Sequence, residues 1–361
     1  MSAAWTTAIS GPARLGTAHP ERRLFRGTGQ AIATVGGLLF AFVAVPFLGD
    51  DYWFTAILIP VLVLSLAGLG LNLLTGYAGQ LSVGSAAFMG IGAYLAYDVQ
   101  TRLPGMPLLL SFVAGATAAA AVGVFAGLPS HRISGFYLVV CTLTVQFFVE
   151  WTLSNFRWFS NGSASGLVSV PPLVVAGRDL SSPLGRYLLT LSVVTVMTVL
   201  AHRIVRGEVG RRWMAVRDMD TAAAILGIPV LRTKLLAFAV SSFYCGMAGA
   251  LWGFAYLGTF DPRAWELDRS FEILFAIIIG GMGSLSGSFL GAAFLLVLPL
   301  AMSQVAAAYL RGTVDQGTIE NYKKIGFGIL IVFFLVKEPR GLSRLVQTFI
   351  QRIRTWPLRH W

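Results

Sequence analysis

The sequence predicts an all-α polytopic membrane protein of about ten transmembrane helices, some of them broken or re-entrant, with a short helix on a charged central loop. Three observations carry this. Of 361 residues, 56% are hydrophobic and only 12% charged, with a mean hydropathy of +0.73, whereas about a quarter of the residues of soluble domains are charged. Apolar runs repeatedly reach the roughly 20 residues needed to cross about 30 Å of hydrocarbon. The charges gather at the ends of those runs, with one dense interior island from Arg203 to Lys234. A net charge of +11 would suit a nucleic-acid partner if it formed one basic domain, but here it reads as orientation in a bilayer. Cys141 and Cys245 fall inside apolar runs and read as small core residues, not as a disulfide pair.

Residues 1–30 form a polar tail with Arg14, Arg22, Arg23 and Arg26 ahead of the first apolar run. That run has no small-residue cleavage site and is expected to remain as a span. Candidate spans follow near 31–48, 54–74, 83–99, 108–128, 135–152, 184–205, 234–257, 270–283, 289–310 and 323–336. The weakest are 83–99, rich in Gly and Ala, and 270–283, which breaks at GGMGSLSG. Unwound glycine-rich ends are tolerated at membrane depth where protein or a cavity shields them, and glycines also let helices pack closely. The expected organisation is a cytoplasmic tail 1–30, a membrane domain 31–336 and a basic cytoplasmic tail 337–361. With both termini cytoplasmic, the inner side holds two thirds of the 27 Lys and Arg, as the positive-inside rule favours. An even number of spans is the firmer expectation.

The long outer loop, 153–183, contains NFRWFSNGSASGLVSVPP and suits an ordered turn-rich cap or a docking surface. Tyr52, Trp53, Trp151, Trp158 and Trp265 sit at expected span ends, where aromatic side chains form an interfacial belt. Glu150 and Glu272 fall near outer span ends, which favours a rim role over intramembrane chemistry.

Catalytic chemistry is not visible. The lysines are Lys234, Lys323, Lys324 and Lys337, none after a glycine, so no phosphate-binding loop is present. His19, His131, His202 and His360 are scattered through tails and span ends, which argues against a metal site or a histidine-based centre. Uncharged polar residues are more informative. Asn72, Thr75, Tyr77, Gln80, Ser82 and Ser85 cluster in NLLTGYAGQLSVGS, and Thr142, Thr144 and Gln146 lie along a later span. Such groups commonly bond across helices, and they could equally line a path for a small polar solute. GQLSVGS at 79–85 is echoed by GSLSGS at 283–288, too briefly to establish a repeat.

In the central loop, residues 213–226 read as one short helix. Arg217, Asp218 and Asp220 are its polar part, Ala222 to Ala224 favour helix, and Gly227 and Pro229 stop it. It could lie on lipid headgroups or enter a groove on a protein partner. The aspartates favour the partner, since acids gain nothing on an anionic lipid surface.

Six ordered motifs, NLLTGYAGQLSVGSAAFMGIGAY, RISGFYLVVCTLTVQ, NGSASGLV, GRRWMAVRDMDTAAAILGI with KLLAFAVSSFYCGMAGAL, AIIIGGMGSLSGSFLGAAF and KEPRGL, together resemble the permease subunits of branched-chain amino acid type ABC importers, specifically the second of their two permeases. The resemblance runs from about Leu71 to Leu342. It implies a bacterial inner-membrane protein that binds no cofactor and has no enzymatic activity of its own. Its implied partners are a sister permease, two cytoplasmic ATPases that supply ATP and Mg, and an extracytoplasmic solute-binding protein. The implied coupling element takes in Arg211, Arg212, Arg217, Asp218, Asp220, Ala222, Ala223 and Gly227. Asn161, Gly162, Ser163 and Gly166 would dock the binding protein, although NGSASGL departs from the family's TGGxxGL pattern there. Relatives also carry urea and short amides, so the solute is not fixed by the resemblance.

Overall fold

The computed structural model describes residues 40–48, 50–103, 105–131, 135–156, 158–159, 168–171, 173–175, 177–309 and scattered positions between 325 and 348. The amino-terminal tail, the proposed docking residues Asn161, Gly162, Ser163 and Gly166, most of the last candidate span and most of the carboxyl tail lie outside the described residues. Two units are distinguished, 1–49 and 50–361. The described part of the first is α1, a π-helical turn at Phe40–Ala44 running into Val45–Leu48.

The second unit contains α2 (Trp53–Tyr77), α3 (Ser85–Arg102), α4 (Leu108–Gly127), α5 (Phe136–Asn155), α6 (Pro183–Arg206), α7 (Glu208–Asp218), α8 (Asp220–Ile225), α9 (Val230–Leu257), α10 (Leu267–Gly280) and α11 (Leu285–Tyr309). The chain is a multi-pass all-α membrane protein. Among the described residues six helices, α2, α4, α5, α6, α9 and α11, are long and apolar enough to cross a membrane, against about ten expected. The shortfall falls partly where the sequence is weakest. Helix α3 carries Asp98 and Arg102 in its last turns, and α10 has 14 residues, a rise of about 21 Å.

Helix α3 sits at the centre of the bundle, against α4 and α9. Lipid offers no hydrophobic drive for helix association, so close backbone approach has to supply it. Gly92 of α3 meets Gly246 of α9 so closely that a Cβ on Gly92 would strike the Gly246 backbone. Aromatic rings finish the packing at the far end of α3, where Tyr94 and Tyr97 each lie 5.5 Å from the ring of Phe260.

Two irregular stretches interrupt the helices. After Tyr77 the chain is non-helical until Ser85, and α10 ends at Gly281 and Gly283, both with positive φ. Asn72, near the end of α2, fastens the second of them to α2, with its Nδ2 donating to the Ser284 carbonyl at 2.8 Å and to Ser288 Oγ at 3.0 Å, while Oδ1 accepts from Gly283 N at 2.8 Å. The end of α2 is therefore fastened to the 283–288 segment by one side chain. The entry to α3 needs similar help, because Gly84 has no side chain with which to cap it. Thr142 accepts from Val83 N (3.1 Å), Ser270 from Ala86 N (2.9 Å) and Gln146 Oε1 from Ala87 N (2.8 Å). Three distant residues thus satisfy backbone donors that would otherwise be orphaned at the start of a buried helix.

Strand β1 (Val168–Ser169) pairs antiparallel with β4 (Thr259–Phe260), and β2 (Val174–Val175) with β3 (Arg178–Asp179). The β1–β4 ladder ties the segment before α6 to the exit of α9, and the β2–β3 pair closes a local turn within that segment. Ser182 caps α6, accepting from Gly185 N at 3.2 Å.

One expectation is corrected in the central loop. Residues 213–226 do not form a single helix, because the chain breaks at Met219, whose backbone is extended (φ −161°, ψ 102°). Asp218 closes α7 with its carboxylate held by Arg217, and Asp220 opens α8, where the helix dipole favours an acid. The break lets the two carboxylates take different partners.

Candidate functional site

The most distinctive surface is the pair α7 and α8 on the face of the bundle that carries Arg203 to Lys234. Its inner side is anchored. Trp213 is fully buried and donates from Nε1 to the Thr233 carbonyl at 3.1 Å, and Val216 and Ala223 are buried with it. Lys234 Nζ reaches Asp220 Oδ2 at 2.5 Å, and Arg217 Nη1 donates to the Gly76 carbonyl at 2.9 Å. Arg217 also donates from Nε and Nη2 to Asp218 Oδ1. Its stem crosses Gly79, whose φ of +70° and lack of a Cβ are both needed there, since a Cβ would sit 2.5 Å from Arg217 Cγ.

Its outer side is unusually apolar for a charged loop. Ile225 is 86% exposed, Leu226 79% and Met219 61%. Gly227, at φ +81°, turns the chain so that Ile228 N bonds the Ala223 carbonyl at 3.0 Å, the glycine stop expected after a helix. Beside this ridge is an open groove of about 640 Å³ lined by Glu208, Arg211, Arg212, Leu226, Gly227, Ile228 and Pro229. Arg212 pairs with Glu208 at 2.7 Å, an exposed contact of little energetic weight. The sequence-named residues therefore divide. Arg211 and Arg212 flank the groove, Arg217 and Asp220 anchor, Ala222 is half-buried and Ala223 is buried.

The uncharged polar residues mostly bond within the chain. Asn72, Thr142 and Gln146 are fully buried and occupied as described above, and Gln146 Nε2 also donates to the Trp265 carbonyl at 2.8 Å. Thr75 donates to the Gln80 carbonyl at 3.2 Å, and Ser82 accepts from Gly84 N. Ser85 and Tyr77 are buried, whereas Thr144 is exposed on the other side of α5 and bonds its own helix at Val140. Gln80 differs from the rest. It is 5% exposed, yet neither atom of its side-chain amide has a partner among the described residues. It helps wall a cavity of about 230 Å³ that is also lined by Arg217, Asp218, Asp220 and Lys234.

Sequence reading missed Ser270, Ser284 and Ser288, which gave no local signal, and the exposed pair Ile225 and Leu226. The signal for that pair was two large apolar residues directly before a helix-stopping glycine. On the opposite face, Trp158 does more than mark an interface, since Arg102 stacks on its ring at 4.0 Å and donates to its carbonyl at 2.6 Å while pairing with Asp98 at 3.2 Å. Glu272 pairs with Arg269, which lies 4.5 Å over the Trp252 ring.

Residues 53–335 match the family model described as "Branched-chain amino acid transport system / permease component". The chain is 28% identical over 298 residues to the high-affinity branched-chain amino acid transport system permease protein LivM of Escherichia coli, covering 76% of this chain and 66% of the relative. It is 30% identical over 244 residues to the autoinducer 2 import system permease protein LsrC of an Enterobacter species, covering 65% of this chain and 66% of the relative. It is 27% identical over 289 residues to the fructose import permease protein FrcC of Rhizobium meliloti, covering 77% and 75%. The chain thus spans just under two thirds of the length of LivM. No solved structure matches it.

Proposed function

This chain belongs to the branched-chain amino acid transport permease family, and from that premise we propose that it is the second of two paired permeases in an ATP-driven importer of a small polar organic solute. The solute class favoured is branched-chain or other hydrophobic amino acids. The observation that carries the reading is the exposed ridge of Met219, Ile225 and Leu226 on an element fastened to the bundle through Arg217 and Lys234. An apolar ridge with a flanking groove suits a cytoplasmic ATPase, and the sequence contains no phosphate-binding loop of its own. On this reading α7 and α8 are the coupling element, both termini are cytoplasmic, and the chain crosses the membrane about ten times.

The mechanism is alternating access. An extracytoplasmic binding protein delivers solute to a path between this chain and its sister permease, and closure of the ATPase pair, driven by ATP and Mg held in those partners, displaces α7 and α8. The displacement is felt at Gly76 and Lys234, the partners of Arg217 and Asp220 in the bundle. Of the path residues named from sequence, Asn72, Thr142 and Gln146 are committed elsewhere, whereas Gln80 has an amide without a partner among the described residues.

Reconstitution with the neighbouring ATPases, sister permease and binding protein tests this. ATP-dependent accumulation of L-leucine is the expected result. Accumulation of urea or a short amide in place of leucine would move the solute and keep the machinery. Solute movement by the purified chain alone, without ATP, would overturn the reading in favour of a channel or secondary transporter.

A further inference from the structure

The cavity beside α7 and α8 has chemistry that coupling to an ATPase leaves unused. Gln80 closes one wall with a buried amide whose N–H groups and carbonyl are both unmatched among the described residues, a costly state for a buried polar group. Lys234 carries three N–H groups, and its recorded bond is to Asp220. That bond uses Oδ2 of Asp220, and both Arg217 bonds use Oδ1 of Asp218, so the second oxygen of each carboxylate has no partner among the described residues. Donors and acceptors are thus both on offer. The charged lining, Arg217 and Lys234 against Asp218 and Asp220, sums to zero.

We propose that this cavity binds a small zwitterion, an α-amino acid, with its carboxylate toward Lys234 and the Gln80 amide and its ammonium toward Asp218 and Asp220. A lone anion or cation would add uncompensated charge to a half-enclosed, already neutral site, while a zwitterion adds none and meets both sets of groups. This deepens the importer reading and rests on it for the side at which imported solute accumulates. An occupant would bridge the 78–84 segment to α7 and α8, and so oppose any motion that parts them. Internal amino acid would then slow turnover.

The test is equilibrium dialysis of radiolabelled L-leucine against the full-length chain in lipid nanodiscs, with isovaleric acid, isopentylamine and urea as competitors. Saturable leucine binding is expected, with the acid and the amine each competing roughly tenfold less well, and with Gln80→Ala and Asp218→Asn each weakening binding roughly tenfold. Asp218 has an exposed side chain, so its variant keeps the fold even if Gln80→Ala does not. The proposal is overturned by an absence of saturable binding, by binding that neither substitution changes, or by urea displacing leucine as well as leucine does itself. No ATPase or binding protein takes part, so a negative result leaves the uptake assay standing, and failed uptake leaves a positive binding result standing.

Discussion

Arg217 reaches from the central loop to the Gly76 carbonyl, 141 residues away in sequence, and closes on it at 2.9 Å. The side chain that ends α7 thereby also covers the end of α2. The same guanidinium holds Asp218, so one residue both closes α7 and fastens it to the bundle, beside the anchor at Trp213.

Arg217→Ala should uncouple the element from α2. Hydrogen bonds made by charged groups are worth roughly 1.5–3 kcal/mol, so ATP-dependent uptake is expected to fall by one to two orders of magnitude while membrane levels of the chain hold. Arg217→Lys should rescue little, because an ammonium cannot bridge Gly76 and Asp218 as a fork does. Parallel measurement of uptake and of chain abundance checks both, and full uptake in the alanine variant would exclude the anchoring role.

Ile225→Asp and Ala223→Glu should fail in different ways. Ile225 projects from the surface, so its replacement should abolish capture of the ATPases by the permease without lowering the thermal midpoint of the purified chain. Ala223 is 2% exposed, and an ionised group there has no room and no solvent, so the chain itself should be destabilised. Co-purification combined with thermal unfolding separates the two. Identical behaviour would mean that the ridge is not the contact.

Gln146→Leu leaves Ala87 N, Ser270 Oγ and the Trp265 carbonyl without their partner. A loss of roughly 1–3 kcal/mol of stability per unsatisfied group is expected, with solute preference unchanged in whatever protein survives. A shift in solute selectivity at unaltered stability would instead place Gln146 on the transport path.

Gly246→Leu should prevent assembly of the bundle. A Cβ at Gly246 already stands 2.7 Å from the Ala119 Cβ and 3.0 Å from the Ala116 Cα, and overpacking a tight interior costs typically 1–3 kcal/mol or more. Size-exclusion profiles of the detergent-solubilised chain should show aggregate in place of a monodisperse peak.

Much of this was legible in the sequence, and the gaps have a common cause. Composition and run length locate each of the six strongly apolar helices among the described residues, because each span satisfies its own backbone bonds and needs no distant partner. The weak candidates, 83–99 and 270–283, proved to be helices whose ends depend on Thr142, Gln146, Ser270 and Asn72 from other elements. The roles of Thr142 and Gln146 could not be chosen from spacing, since their partners lie 59 to 124 residues away. The break at Met219 was hidden for the same reason, as it is stabilised by Lys234 and by the end of α2. What local chemistry does encode, such as the glycine stop at Gly227, was read correctly.

Lys234 stands in the first turns of α9, which runs for 28 residues from Val230 to Leu257, about 42 Å at 1.5 Å per residue. A helix of that length is stiff along its axis. Any pull on Asp220 is therefore delivered through the Lys234 ion pair to a rod that passes through the whole bundle. Its far end bears Trp252, under the Arg269 guanidinium, and leads into the β1–β4 ladder. The last six residues of the rod, Trp252–Leu257, are wound as a π-helix, a rare geometry that recurs at functional sites. The chain thus has a continuous rod along which a displacement of the loop would reach the opposite face.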